Sequence, residues 1–126
     1  MLIAKKEAGS TYWYHSDRLG SIRMITNANG NVENEYDYAP YGDTNSESGS
    51  VTNERGFTGH IRDTGSGLIY MGARYYDPDV ALFVSADTMV PDPFNPQALN
   101  RYAYCYNDPV SNVDPSGHAP VAIAYC

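Results

Sequence analysis

Residues 11–43 read TYWYHSDRLGSIRMITNANGNVENEYDYAPYGD, and the pattern of that stretch has a period of two. Tyr12 and Tyr14 alternate, then Ile22, Met24 and Thr26, then Val32, Asn34, Tyr36 and Tyr38. A side chain of one kind at every second position lines one face of a half-buried strand. The runs are separated by DRLG and NANGN, and APYGD closes the unit. Asn29-Gly30 is the strongest short hairpin signal a sequence can carry, because both central positions of the tight turn need a positive φ. The reading is a β-meander over 12–43. No stretch keeps helical periodicity over three turns, which confines the chain to the all-β class.

The next segment, TNSESGSVTNE at 44–54, is small and polar and reads as a loop. The hairpin logic then returns over 55–118. Phe57 is expected to begin a strand, DTGSG to turn it, LIYMGARYY to bring it back and Asp77-Pro78 to end it. VALFVSAD reads as one further short strand. TMVPDPFNPQALN holds three prolines and is excluded from any long regular element. ALNRYAYCYN fits either helical turns, near 96–104, or a strand. The chain then makes two stiff acidic turns in NDPVSNVDPSGH. Residues 1–11 and 119–126 are left as terminal segments.

Composition narrows the function classes. Twelve tyrosines and eleven glycines predict many half-wet faces and many turns rather than a large dry core. A net charge of −7 argues against nucleic acid, whose phosphates need a basic surface. Cys105 and Cys126 are too few for a disulfide framework, and Cys105 reads as a small buried hydrophobe. No zinc spacing is present, and NANGN and DTGSG lack the spacing of a calcium loop, so neither metal nor cofactor is expected. MLIAKKEAGS lacks the apolar stretch of a signal peptide, and no run reaches the ~20 apolar residues of a membrane span.

Taken together, YHSDRLGSIRMITNANGNVENEYDYAPYGD resembles the tyrosine-aspartate (YD) repeats of RHS proteins. GFTGHIRDTGSGLIYMGARYYDPDVALFVSAD, followed by NPQALNRYAYCYNDPVSNVDPSGH, resembles the RHS repeat-associated core that ends those repeats. The resemblance covers residues 12–118. It implies a β-strip of the kind that winds into a hollow shell, with a core that spirals inward as a plug. It also implies a core that in several members cuts its own chain behind a terminal D-P-x-G, with an arginine and two aspartates involved. Carried over, these are Arg74 of ARYYDP, Asp87 after the F-x-S-x strand, and Asp114 of DPSG. The cut would fall at Gly117-His118 or His118-Ala119. Thr88 stands where many members have proline, and DVALF stands where a glycine and an arginine are usual.

Each site residue also has a plain alternative. Two carboxylates sharing a proton, aided by an arginine, can cut a peptide bond. Equally, Asp87 can cap a turn, Asp114 can form an Asx-Pro turn, and Arg74 can stack on Tyr75 or a cross-strand tyrosine. His118 reads as an exposed turn residue rather than a base. The tyrosines read as ladder and core rather than a glycan-binding stripe. Nine residues follow Gly117, which gives the expectation of a module without a toxin segment. The leading expectation is therefore a structural module whose open sheet edges pair with copies of itself or with other RHS repeats. A single-turnover aspartic peptidase acting on its own tail is the alternative. The resemblance favours an extracellular or cell-surface location.

Overall fold

The computed structural model describes residues 3–90 and 92–123. Cys126 lies outside them. The alternating N-terminal half forms one antiparallel sheet of five strands in sequential order: β1 (Ala4–Glu7), β2 (Ser10–Ser16), β3 (Ile22–Thr26), β4 (Val32–Tyr38) and β5 (Thr44–Gly49). A second sheet has four short strands, again in order: β6 (Ile61–Arg62), β7 (Ile69–Tyr70), β8 (Tyr75–Asp77) and β9 (Leu82–Phe83). Near the C-terminus β10 (Asn112–Val113) pairs with β11 (Val121–Ala122). The remaining regular pieces are 3₁₀ turns at Phe57–Gly59, Pro96–Leu99 and Cys105–Asn107. The all-β expectation holds, and no helix among the described residues is long and apolar enough to cross a membrane.

One turn design is used three times. In 17–21, 27–31 and 39–43 the first residue's N–H reaches the fifth residue's carbonyl, and the fourth residue's N–H returns to the first carbonyl. The fourth residue is glycine each time, Gly20, Gly30 and Gly42, with φ of 83°, 82° and 96°. A shift of register accompanies each hairpin. This is a type I turn followed by a left-handed residue that makes a bulge, one of the standard longer hairpin connections. Asp17 and Asn27 reinforce their turns with a side-chain oxygen that accepts two backbone N–H groups.

Four local readings are corrected. The polar segment 44–54 is a loop only in its second half, because Thr44–Gly49 pairs with β4 from Asn34↔Gly49 to Tyr38↔Thr44. Polar composition did not prevent an edge strand, whose outer face is wet. APYGD accordingly joins β4 to β5 instead of closing the unit. The terminal segment 1–11 holds β1 and the start of β2, joined by a two-residue turn in which Ala8 and Gly9 both have positive φ. Phe57 begins a 3₁₀ turn, and the strand starts at Ile61, because Thr58 takes a left-handed φ of 51°.

The larger core joins Phe57, Ile69, Met71, Tyr76, Phe83, Tyr104 and Cys105, with Tyr38 and Tyr41 against it. Its rings contact at angles: Tyr76 and Tyr104 lie 4.6 Å apart, Phe83 and Tyr104 5.9 Å, Phe57 and Tyr104 6.0 Å. The tyrosines are amphipathic, as their abundance predicts. The Tyr38 hydroxyl donates to the Ile22 carbonyl at 3.0 Å, and that of Tyr76 to the Tyr41 carbonyl. Cys105 is buried, and burial is the main reason its thiol is pushed up to about 12. A smaller cluster of Tyr14, Ile22 and Ile25 sits on the first sheet. The two sheets are joined by Ile22 N–H to the Gly56 carbonyl at 3.1 Å and Thr58 N–H to Ser21 Oγ at 2.8 Å.

Candidate active site

After β10 the chain turns back through 114–119 and lies against the segment between β7 and β8. The Ala73 N–H donates to the Ser116 carbonyl at 3.0 Å. Gly117, at φ +79°, presses so closely that a Cβ there would stand 2.8 Å from the Met71 carbonyl oxygen and 3.0 Å from the Ala73 nitrogen. Only glycine has both the conformation and the room. This approach delivers the Gly117 carbonyl to Arg74, whose Nε donates to it at 2.6 Å.

Arg74 is buried, at 6% exposure. Its guanidinium lies 3.5 Å from the Phe83 ring centroid, so its aromatic partner is that phenylalanine of β9 rather than the tyrosines the sequence offered. Its other nitrogens donate to the Arg101 carbonyl at 2.8 Å and approach Asp87 Oδ2 at 3.5 Å. Burial lowers the Arg74 pKa, and the charges of Asp87 and Asp114 pull it back up.

Among the described residues, Asp87 and Asp114 are the other two buried charges, at 3% and 1% exposure. Asp87 Oδ1 accepts from the Met89 N–H at 3.1 Å and lies 2.6 Å from His118 Nδ1. Burial acts to raise the Asp87 pKa, but the His118 hydrogen bond, the Met89 N–H and Arg74 outweigh it, leaving the carboxyl below its ordinary range. Asp114 Oδ1 accepts from the N–H of Gly117 at 2.8 Å and of Ala119 at 3.2 Å. It thus holds the peptide groups on either side of the Gly117-His118 peptide. The turn-forming roles foreseen for the two aspartates are real, and both carboxylates nonetheless converge on one dipeptide. Among the described residues no hydrogen bond joins Asp87 to Asp114 directly.

The predicted residues Arg74, Asp87, Asp114, Gly117 and His118 therefore come together. His118 differs from the reading as an exposed turn residue: its side chain is 34% exposed and is paired with Asp87. Arg101 and His60 were not foreseen. The Arg101 Nε donates to the Asp87 carbonyl at 2.6 Å, and His60 Nε2 lies 3.0 Å from the Asp114 carbonyl. Their partners are 14 and 54 residues away in sequence, so no local motif marks them.

A family profile described as the teneurin YD-shell matches residues 1–110. The chain belongs to the teneurin YD-shell family. The matched stretch includes Arg74 and Asp87 and ends before Asp114. Among curated relatives, the YD-shell chain is 37% identical over 123 residues to the tRNA3(Ser)-specific nuclease WapA of Bacillus spizizenii, covering 93% of this chain and 5% of that protein. It is 35% identical over 127 residues to the double-stranded DNA deaminase toxin A of Burkholderia cenocepacia, covering 94% of this chain and 8% of that one. Among solved structures, the crystal structure of TcdB2-TccC3-Cdc42 superposes with a TM-score of 0.80 at 27% identity, over 89% of this chain and 5% of that one. The YD-shell chain is thus a structural shell module of toxin-related type, spanning a small fraction of the relatives it matches.

Proposed function

We propose that this YD-shell module carries a self-cleavage site in its C-terminal turn, with Gly117-His118 as the scissile bond. The observation that carries the reading is the 2.6 Å hydrogen bond from Arg74 Nε to the Gly117 carbonyl. Negative charge develops on that oxygen when water adds to the carbonyl carbon. A fixed guanidinium in a buried site stabilises such charge far better than water does. Asp114 holds the peptide on either side, and Asp87 supplies an ionised carboxylate beside the leaving group. The reaction is intramolecular, so its rate is independent of protein concentration. The WapA nuclease and the deaminase toxin have different named chemistries yet both share this segment. That supports a scaffold role for it, with the distinguishing activities carried elsewhere in those proteins.

The test is the intact mass of purified chain followed over days. The expected result is one break behind Gly117, with release of a fragment beginning HAP. Asp87→Asn and Asp114→Asn should each stay full length, and Arg74→Ala should be slower by on the order of 10²-fold or more. A wild-type chain that keeps its full mass from mildly acidic to neutral pH would leave only the scaffold role.

A second reading concerns association. β1 and β5 are the edges of the five-stranded sheet. Both lysines of the chain, Lys5 and Lys6, lie on β1, where charge discourages edge pairing. β5 carries no lysine and a single charge, Glu47, and five of its six residues are exposed. β5 is therefore the edge through which the module would pair with another YD repeat or with a second copy.

A further inference from the structure

Residue 101 ties together two groups of the site that lie 13 positions apart in sequence. The 101–103 segment runs antiparallel along β9. The Phe83 N–H donates to the Tyr102 carbonyl at 2.9 Å, Leu82 bridges to Ala103, and the Asp87 N–H donates to the Arg101 carbonyl at 2.9 Å. The same Arg101 carbonyl accepts from Arg74 Nη1 at 2.8 Å. The Arg101 side chain then returns to Asp87, where its Nε donates to the backbone carbonyl at 2.6 Å. Residue 101 therefore grips both backbone groups of Asp87 and one nitrogen of Arg74. Between themselves Arg74 and Asp87 are less closely engaged, with 3.5 Å from Nη2 to Oδ2. We propose that Arg101 is a positioning residue for the cleavage, holding Arg74 and Asp87 in the arrangement in which each serves a different part of the C-terminal turn. The inference rests on the self-cleavage reading and adds a residue to it. Among the described residues no hydrogen bond joins Arg101 to Gly117 or His118.

An arginine and a carboxylate this near each other tend to close into a forked pair with two parallel hydrogen bonds. Such a pair would draw the guanidinium and the carboxylate away from the returning loop. Here Arg74 Nε instead donates to the Gly117 carbonyl at 2.6 Å, and Asp87 Oδ1 lies 2.6 Å from His118 Nδ1. The bonds to residue 101 supply the restraint. Its carbonyl occupies Arg74 Nη1, and its side chain fixes the backbone from which the Asp87 carboxylate projects. That side-chain bond has a charged donor, which makes it stronger than a neutral one. The charge of Arg101 could act by itself. Arg101 lines one cavity with Arg74, Asp87, Asp114 and His118, and a cation there favours ionised carboxylates whatever its hydrogen bonds. Lysine separates the two effects, because it keeps the cation but places a methylene where arginine has Nε. Arg101 itself takes no proton and forms no bond to the reacting atoms.

Two measurements test this. In the first, wild type, Arg101→Lys and Arg101→Gln are refolded by dilution from denaturant, and cleavage is followed by intact mass. Both variants should break more slowly by on the order of 10²-fold, the loss that follows when a reacting group is displaced by about 1 Å. Their urea midpoints, read with Asp114→Asn added to keep the chains whole, should stay close to that of Asp114→Asn alone. An Arg101→Lys chain that breaks as fast as wild type would overturn the positioning role while leaving self-cleavage intact. A wild-type chain that breaks at no pH would remove both. The second measurement needs no cleavage. Carbon chemical shifts follow the Asp87 carboxyl through its titration in the full-length Asp114→Asn chain. Asp87 should titrate below its ordinary 3.8 there, and should move up toward it when Arg101→Lys is added, because the carboxylate loses its fixed approach to His118 and Arg74. An Asp87 titration that Arg101→Lys leaves unmoved would overturn the proposal.

Discussion

Gly117 couples backbone conformation to the proposed cleavage at a single position. Its left-handed φ costs an L-residue about 1–2 kcal/mol. In addition, a methyl group there would meet backbone atoms of Met71 and Ala73, which cannot move aside as a side-chain tip can. Gly117→Ala should therefore lower stability modestly by chemical denaturation, yet stop cleavage with Arg74, Asp87 and Asp114 all present, because it lifts the carbonyl off Arg74. A variant that loses the expected stability but cleaves normally would break the link between this close approach and the reaction. Two titrating residues near the C-terminal turn contribute to the acid sensitivity. Burial lowers the His60 pKa from its ordinary 6.5, so the unfolded chain binds that proton more readily. Its contribution is complete above about 6.5 and declines as pH falls. Asp87 also titrates below its ordinary 3.8 when folded, so its contribution is present above about 3.8 and is lost as pH falls through the folded value. The urea midpoint should fall in two stages on acidification, and His60→Gln should flatten the first.

At the scale of elements, the repeated turn is the unit from which the first sheet is built. Asn27 offers one side-chain oxygen to two backbone N–H groups, of Asn29 and Asn31, at 2.9 and 3.1 Å. Asn27→Ala removes both bonds and should cost about 1–2 kcal/mol by denaturant titration. The β1–β2 hairpin is the imperfect one. Ala8 sits at φ +49°, a conformation that asparagine tolerates far better than alanine. Ala8→Asn should raise stability by up to about 1 kcal/mol, and a loss instead would show that Ala8 is held by packing rather than tolerated by it. The turns were legible because each is decided within five residues. β5 was not legible, since TNSESG acquires strand geometry only from β4 beside it. Phe57 was misassigned for a related reason: the left-handed Thr58 that follows it has its N–H taken by Ser21 of the other unit.

At the scale of the molecule, the chain is two meanders joined by a few backbone bonds and a tyrosine-rich core. Outside that core, large apolar side chains remain exposed along the second unit, among them Val84, Met89, Phe94 and Leu99. A module of this kind should not stay dispersed at high concentration. If β5 is the pairing edge, light scattering should show dimers or larger species. The double variant Ser46→Lys with Ser48→Lys, which leaves β4 and the core untouched, should shift them toward monomer. Wild-type chain that scatters as a monomer at millimolar concentration would rule out this association, and an unchanged oligomer in the lysine variant would move it to another surface.

The period-two alternation, the glycine-bearing turns and the absence of helical spacing determined the all-β class and the order of the three hairpin strands from 10 to 38, because those signals act between near neighbours. The resemblance to the RHS repeat-associated core, carried by the motifs around Arg74, Asp87 and Asp114, also marked residues that meet at the C-terminal turn. What they do there was decided by tertiary structure alone. The Gly117 carbonyl reaches Arg74 across 43 residues, His118 reaches Asp87 across 31, and His60 reaches Asp114 across 54. Such contacts depend on how one sheet packs against a returning loop. A histidine looks the same in sequence whether it faces water or a buried carboxylate, and only the fold supplied the carboxylate.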